Sequence, residues 1–253
     1  MKLLLKQAGI VTVLAALFLV LVSGGAFAQL HNGQENAVIL LHAQTHNTKG
    51  LNCATSPEVA GLGCETYTKE WPVGTGADVF MIIAKADSAL GISGVSCGIN
   101  YGFTPGVQAD GEGVDVFGYL SCSDLEYTNG IDMNDVSTEW PSARGGNRLI
   151  WVRTTNCQRH VIPPNGVHVT CCIFYCYAYS PDVMIVDMNR NLQTGPEIEM
   201  VDCPGPALSD IDWPYAAGKL SFGVPDGGYN PCSDPIVATQ RSTWGRLKNQ
   251  YHD

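Results

Sequence analysis

Ten cysteines and six histidines carry most of the chemistry open to this chain of 253 residues. Cysteine sulfur either closes a disulfide or, as thiolate, holds a soft metal, and the redox compartment decides between them. Lys2 and Lys6 precede an apolar run over 10–22 and the small-residue pattern Ala26-Phe27-Ala28, the layout of a secretory signal peptide cleaved after Ala28. An apolar run of about 13 residues falls short of the ~20 that span a bilayer, so no membrane span is expected after cleavage. Every cysteine lies beyond residue 28, and export through the general secretory route puts all of them in an oxidising environment. The expected location is secreted, cell-surface or periplasmic, and disulfides take precedence over thiolate chemistry.

Loop length orders the pairings. Cys53 and Cys64 enclose a short loop containing Gly and Pro and are expected to pair. Cys122 and Cys157 stand nearly equidistant from the middle of a connection between two strands, where a hairpin would oppose them, and Cys203 with Cys232 would staple the C-terminal segment. Cys97 is left with Cys171, Cys172 and Cys176. In a strand, Cys172 and Cys176 share a face about 13 Å apart at ~3.3 Å per residue, too far to bond, while Cys171 points the other way. One of the three, assigned as Cys172, is expected to pair with Cys97, leaving two buried thiols that behave as small apolar residues.

Metal spacings compete with this reading. Cys157-x2-His160 followed by His168-x2-Cys171 has the two paired spacings of a tetrahedral Cys2His2 site for Zn²⁺, but the oxidising route favours a disulfide at Cys157. Asp187-x-Asn189-x-Asn191 reproduces the first three ligand positions of a Ca²⁺-binding EF-hand loop, with Leu192 where glycine is needed. A second oxygen-rich segment is Asp132-Met133-Asn134-Asp135. The expectation is no cofactor, with Ca²⁺ or Zn²⁺ as the alternative.

For catalysis the chain offers no G-x-S-x-G elbow, no C-x-x-C pair and no H-E-x-x-H helix. Asp124 with Glu126 or Glu139 is a carboxylate pair of the kind that hydrolyses glycosides, which makes a secreted polysaccharide hydrolase the alternative to a binding protein. Trp71, Trp140 and Trp213 each sit in an acid-Trp-Pro triplet. Proline forces the preceding residue into an extended conformation, so the triplet reads as a strand-entry corner, or else as a flat indole platform for a sugar ring. Cleavage of the signal removes two lysines and no acid, moving the formal charge from −10 to −12. Such a surface repels nucleic acid, so the partners expected are an extracellular protein or polysaccharide.

The elements that must position these residues are strands. Segments rich in Val, Ile, Phe and Tyr over 37–43, 78–84, 92–101, 114–127, 148–154, 167–179, 197–201 and 219–224 alternate with Gly, Pro, Asn and Asp clusters. With 28 Gly and 14 Pro, crossover helices for a parallel sheet have nowhere to form. The spacing predicts an all-β, antiparallel β-sandwich over 29–238, cross-linked by disulfides, after the signal peptide 1–28. A short C-terminal helix is expected in a tail over 239–253, capped by Ser242 or Thr243 with Trp244, Leu247 and Tyr251 on one face.

The stretch Gly91-Ile92-Ser93-Gly94-Val95-Ser96-Cys97-Gly98-Ile99-Asn100-Tyr101 resembles the G-I-x-G-x-x-F-x-L-x-Y strand of cohesin-like β-sandwich modules. Through 114–127, 147–159 and 175–182, and a tail like Thr243-Trp244-Gly245-Arg246-Leu247-Lys248, the chain is similar to a group of uncharacterised secreted bacterial β-sandwich proteins. The cohesin resemblance implies non-catalytic binding of a partner domain, although Cys171, Cys172 and Cys176 have no place in its pattern. The expected function is a secreted, non-catalytic binding or surface-structural module; a polysaccharide hydrolase or a metal-binding extracellular module is the alternative.

Overall fold

Among the described residues, most runs of β-branched and aromatic residues between turn-forming clusters are extended and paired, although the expected strand over 148–154 ends at Ile150. A computed structural model describes residues 33–46, 50–128, 140–190, 198–204, 208–210 and 215–234, all within the unit Asn32–Asp253. The signal segment, the 239–253 tail, Asp132 to Asp135, Glu139, Asn191 and Trp213 lie outside the described residues.

Among the described residues twelve strands follow in chain order: β1 (Val38–Thr45), β2 (Glu70–Trp71), β3 (Ala77–Ala86), β4 (Ile92–Asn100), β5 (Val114–Ser121), β6 (Leu125–Tyr127), β7 (Gly146–Ile150), β8 (Val167–Ala178), β9 (Asp182–Asp187), β10 (Glu199–Asp202), β11 (Leu208–Asp210) and β12 (Lys219–Phe222). The described residues contain helical backbone only as two 3-10 turns, Cys53–Thr55 and Cys64–Thr66. The strands form an antiparallel sandwich. Its first sheet has the order β1-β3-β8-β5. In the second, β7 lies along one edge of β4, while β9 and β10 lie end to end along the other, because Gly94 pairs with both Ile150 and Val201 and Gly98 with both Gly146 and Asp187. Beyond them β12 pairs with β9, β11 with β10, β6 with β7, and the two-residue β2 runs parallel to β12.

Between the sheets pack Met81, Val95, Cys97, Ile99, Leu149, Phe174 and Met200, all at 2% exposure or less. The rings of Tyr119, Trp140 and Phe174 meet with centroids 5.5 to 5.8 Å apart. Polar links also tie the sheets: Tyr119 on β5 donates to Glu126 on β6 (2.7 Å), Asn147 on β7 donates to both, and the Val114 amide on β5 donates to Asp182 on β9.

The central strands β3 and β8 do not alternate in polarity; they are buried almost throughout. Their second face is covered by a strap, residues 50–69. Glu58 accepts from the backbone and hydroxyl of Thr170, the Tyr67 hydroxyl meets Nδ1 of His168 at 3.1 Å, and the Thr68 amide donates to Nδ1 of His42 at 2.8 Å. A continuous apolar run is what a strand covered on both faces requires.

Three disulfides use six of the cysteines, in pairings that differ from those expected. Cys53 bonds Cys122, Cys64 bonds Cys232 and Cys157 bonds Cys203, so the pairs Cys53–Cys64, Cys122–Cys157 and Cys203–Cys232 do not form. The short loop fails to close on itself because its two cysteines sit in separate 3-10 turns. One turn reaches the end of β5, and the other reaches the segment after β12. Cys157 meets Cys203 because their neighbours Gln158 and Asp202 both pair with Ile92 at the start of β4. The bridge passes Gly91, which has φ +66 and where a Cβ would come within 2.9 Å of the Cys157 sulfur.

Cys97 and Cys172 are not bridged. The Cys97 sulfur rests 3.7 Å from the sulfur of Met81, the residue opposite Cys172 in the β3–β8 ladder. The register then passes from Met81↔Cys172 to Ile82↔Thr170, leaving Cys171 as the extra residue of a β-bulge, so simple alternation along β8 breaks there. Cys97, Cys171, Cys172 and Cys176 are free and fully buried. Burial pushes the Cys97 thiol up to about 12 and raises the other three as well, so none forms a thiolate at neutral pH. Iodoacetamide is expected to add to none of these four in the folded, unreduced protein and to all four after unfolding in guanidinium, counted by intact mass. An adduct on the native protein, or fewer than four on the unfolded one, would contradict this thiol arrangement.

Candidate docking face on the second sheet

Register across the second sheet builds a surface that no contiguous stretch of sequence displays. On β4, Val95, Cys97 and Ile99 alternate with Gly94 and Ser96, which therefore lie on the opposite face of the strand, where both are buried and Ser96 accepts from Asn189. Pairing extends these two positions into rows. The first row reads Leu125, Ile150, Gly94, Val201, with Leu208 at the next register position. The second reads Tyr127, Arg148, Ser96, Glu199, with Asp210 next.

Leu125 is 50% exposed and Tyr127 is 52% exposed, large values for apolar groups on a sheet face. Between the rows lies a trough of about 230 Å³ lined by Gly94, Ser96, Arg148, Ile150, Glu199 and Val201. Gly94 gives the trough its depth, since a Cβ there would already touch the Leu149 carbonyl and Val201 at 3.4 Å. Arg148 on β7 and Glu199 on β10 set positive and negative charge on opposite sides of this floor. The arrangement has the chemistry of an interface: an apolar centre, small residues that admit another chain closely, and a charged border. Sequence reading missed this face. The only local signal was a glycine inside the β4 pattern, which marks close approach of a backbone or ligand.

The residues read as metal ligands are occupied otherwise. Cys157 is in a disulfide, His168 is fully buried against Tyr67, Cys171 is buried in the bulge and His160 is exposed, so the four do not converge. The backbone carbonyl of His160 accepts from the His168 amide, and that pairing leaves the two side chains to different surroundings. Asp187 accepts from its neighbour Met188 and from Arg190, and Asn189 donates to Ser96 on β4, so these side chains are engaged within the chain itself. No group of three or more metal-ligating side chains gathers among the described residues.

The carboxylates read as a hydrolytic pair are also committed. Asp124 accepts from the Val152 amide and the Asn156 side chain, while Glu126 accepts from Tyr119 and Asn147. Of the tryptophans, Trp140 is 8% exposed and packs on Tyr119 and Phe174, so it offers no surface platform. Trp71 is half-buried at the β2 edge and lines a surface cleft. No helix among the described residues is long and apolar enough to cross a membrane.

No family model and no curated protein matches the chain. Among solved structures it is similar to a cohesin module from a family 33 glycoside hydrolase of Clostridium perfringens ATCC13124, at 7% identity and TM-score 0.39, covering 74% of this chain and 96% of that one. It is also similar to a type II cohesin domain from the cellulosome of Acetivibrio cellulolyticus, at 9% identity and TM-score 0.35, covering 63% and 92%. The third cohesin ScaC of the same organism, solved in complex with the ScaB dockerin, gives 12% identity and TM-score 0.32 over 61% and 94%. Likeness at this level concerns the course of the chain alone.

Proposed function

We propose that the protein is a secreted, non-catalytic binding module that docks a protein partner on the outer face of its second sheet. The observation that carries this reading is the pair of cross-strand rows, apolar through Leu125, Ile150 and Val201 and charged at Arg148 and Glu199, around the Gly94 floor. A partner suited to it presents an apolar ridge with an acid to face Arg148. Three disulfides support an extracellular setting.

The test immobilises the mature chain and exposes it to the secreted proteins of the cells that make it. Ile150→Asp and Val201→Asp are expected to weaken capture of one saturable partner by at least about tenfold, as loss of a central apolar anchor does. Phe117→Asp, on the first sheet, is expected to leave capture unchanged. Equal capture by all four proteins, or no saturable partner at all, overturns the reading.

A further inference from the structure

The far edge of the same sheet carries a second surface with different chemistry. Where β2 lies parallel to β12, a cleft of about 380 Å³ is lined by Glu70, Trp71, Pro72, Ser221, Val224 and Pro225, with Gly223 between them. That volume is within the roughly 300–1,000 Å³ of ligand clefts. We propose that it binds a neutral polysaccharide, with one sugar ring stacked on Trp71 and its hydroxyls held by Glu70.

The indole is fixed before any ligand arrives. Its Nε1 donates to the Thr75 carbonyl at 3.2 Å, the Trp71 carbonyl accepts from the Gly223 amide at 2.9 Å, and the register Phe222↔Trp71 sets its place on the edge. Gly223 has φ +69, a conformation glycine favours, and a Cβ there would strike Val73, so no side chain can be placed on this part of the cleft. Pro72, Val224 and Pro225 offer only apolar walls. The Ser221 hydroxyl is taken up by the Val224 backbone on both its donor and acceptor sides. Glu70, exposed at the rim, is left as the polar group of the cleft.

This inventory selects the ligand. An ionised carboxylate accepts hydrogen bonds and donates none. A proline-rich peptide also stacks on an indole, but its carbonyls need a donor, and the indole N–H is already committed to Thr75. Sugar rings supply what is missing, hydroxyl donors for Glu70 and a C–H face for the electron-rich indole. Uronic acids and sulfated chains are disfavoured by Glu70 and by a formal net charge of −10. The inference does not rest on the docking face, which lies on other strands.

Native gels cast with soluble hydroxyethylcellulose, arabinoxylan, galactomannan or mixed-linkage β-glucan test it, with polygalacturonate as the anionic comparison. At least one neutral polymer is expected to retard the mature protein and polygalacturonate is not. Trp71→Ala is expected to abolish the retardation, and Glu70→Ala, at an exposed position that leaves the fold intact, to weaken it severalfold. Ile150→Asp, which disables the docking face, is expected to migrate as wild type does, so the two surfaces fail separately. No retardation by any neutral polymer, equal retardation of wild type and both cleft variants, or equal retardation by polygalacturonate overturns the proposal.

Discussion

Lowering the pH from 7 to 4 is expected to remove on the order of 5 kcal/mol of folding stability, a large part of the 5–15 kcal/mol of a typical domain. The groups responsible are His42 and His168, which lie beneath the 50–69 strap at 6% and 0% exposure. Burial lowers both to about 4. His42 is surrounded by Tyr67, Phe80 and the Thr68 amide; His168 by Tyr67, with Glu58, Glu65 and His160 close enough to act on it or on its neighbours. Unfolded histidine takes up a proton near pH 6.5, whereas the folded state resists until about pH 4. Between those values the unfolded state binds more protons, so stability falls as pH falls, by about 2–3 kcal/mol per histidine at 1.36 kcal/mol per pKa unit. Glu58 works in the opposite sense. Burial raises its carboxyl against the lowering effect of Thr170, so the folded state accepts that proton more readily and part of the loss is offset. Asp234 is held below its ordinary value, with the Asn230 amide and Lys69 outweighing burial, so its contribution is lost only below pH ~4. Urea unfolding at pH 7, 6, 5 and 4 reads the slope directly. The double variant His42→Gln with His168→Gln is expected to start less stable and to lose much less over the same range; a wild-type stability that stays level down to pH 4.5 would refute the assignment.

Breaking the Cys64–Cys232 bridge is the other large effect. It closes the longest loop of the three, with a sequence separation of 168, for which chain entropy alone gives about 5 kcal/mol. The bridge also holds the C-terminal end of the strap. Around it the Asn230 side chain donates to the Cys64 carbonyl and Lys69 pairs with Asp234 at 2.6 Å. Replacing both cysteines by alanine is expected to cost about 3–5 kcal/mol and to lower Tm by roughly 10 °C in a domain of this size. Cys157→Ala with Cys203→Ala, at a separation of 46, is expected to cost about 1 kcal/mol less on the same entropic ground. Thermal melts of the two double variants, with peptide mapping of the remaining bridges, check both claims. A Cys64–Cys232 knockout that melts with the wild type would show that the Cys53–Cys122 bridge and the hydrogen bonds hold the strap without it.

Strand positions were legible because they depend on short-range pattern. The expected segments at 92–101 and 167–179 correspond to β4 and β8, and 78–84 falls inside β3. The expected strand over 114–127 is instead two, since the chain breaks after Ser121 and Leu125 crosses to the other sheet to pair with Ile150. The Cys53-to-Cys64 segment reads as a self-closed loop because its short span is all a sequence shows; in three dimensions Cys53 bonds Cys122 just after β5 and Cys64 bonds Cys232 beyond β12. Asp187 and Asn189 looked like ligands because their spacing was right, but Ser96 and Arg190 take their side chains.

By itself the sequence determined an all-β chain, sites for an antiparallel ladder and a set of cysteines suited to oxidation, all consequences of residue type and spacing over a few positions. Tertiary structure alone decided which cysteines meet, that Cys171 is a bulge residue, that the strap buries two histidines, and that Leu125, Ile150, Gly94 and Val201 form one row. The reason is physical: alternation specifies a face within one strand, whereas partner, register and bulge are set by packing between strands far apart in the chain.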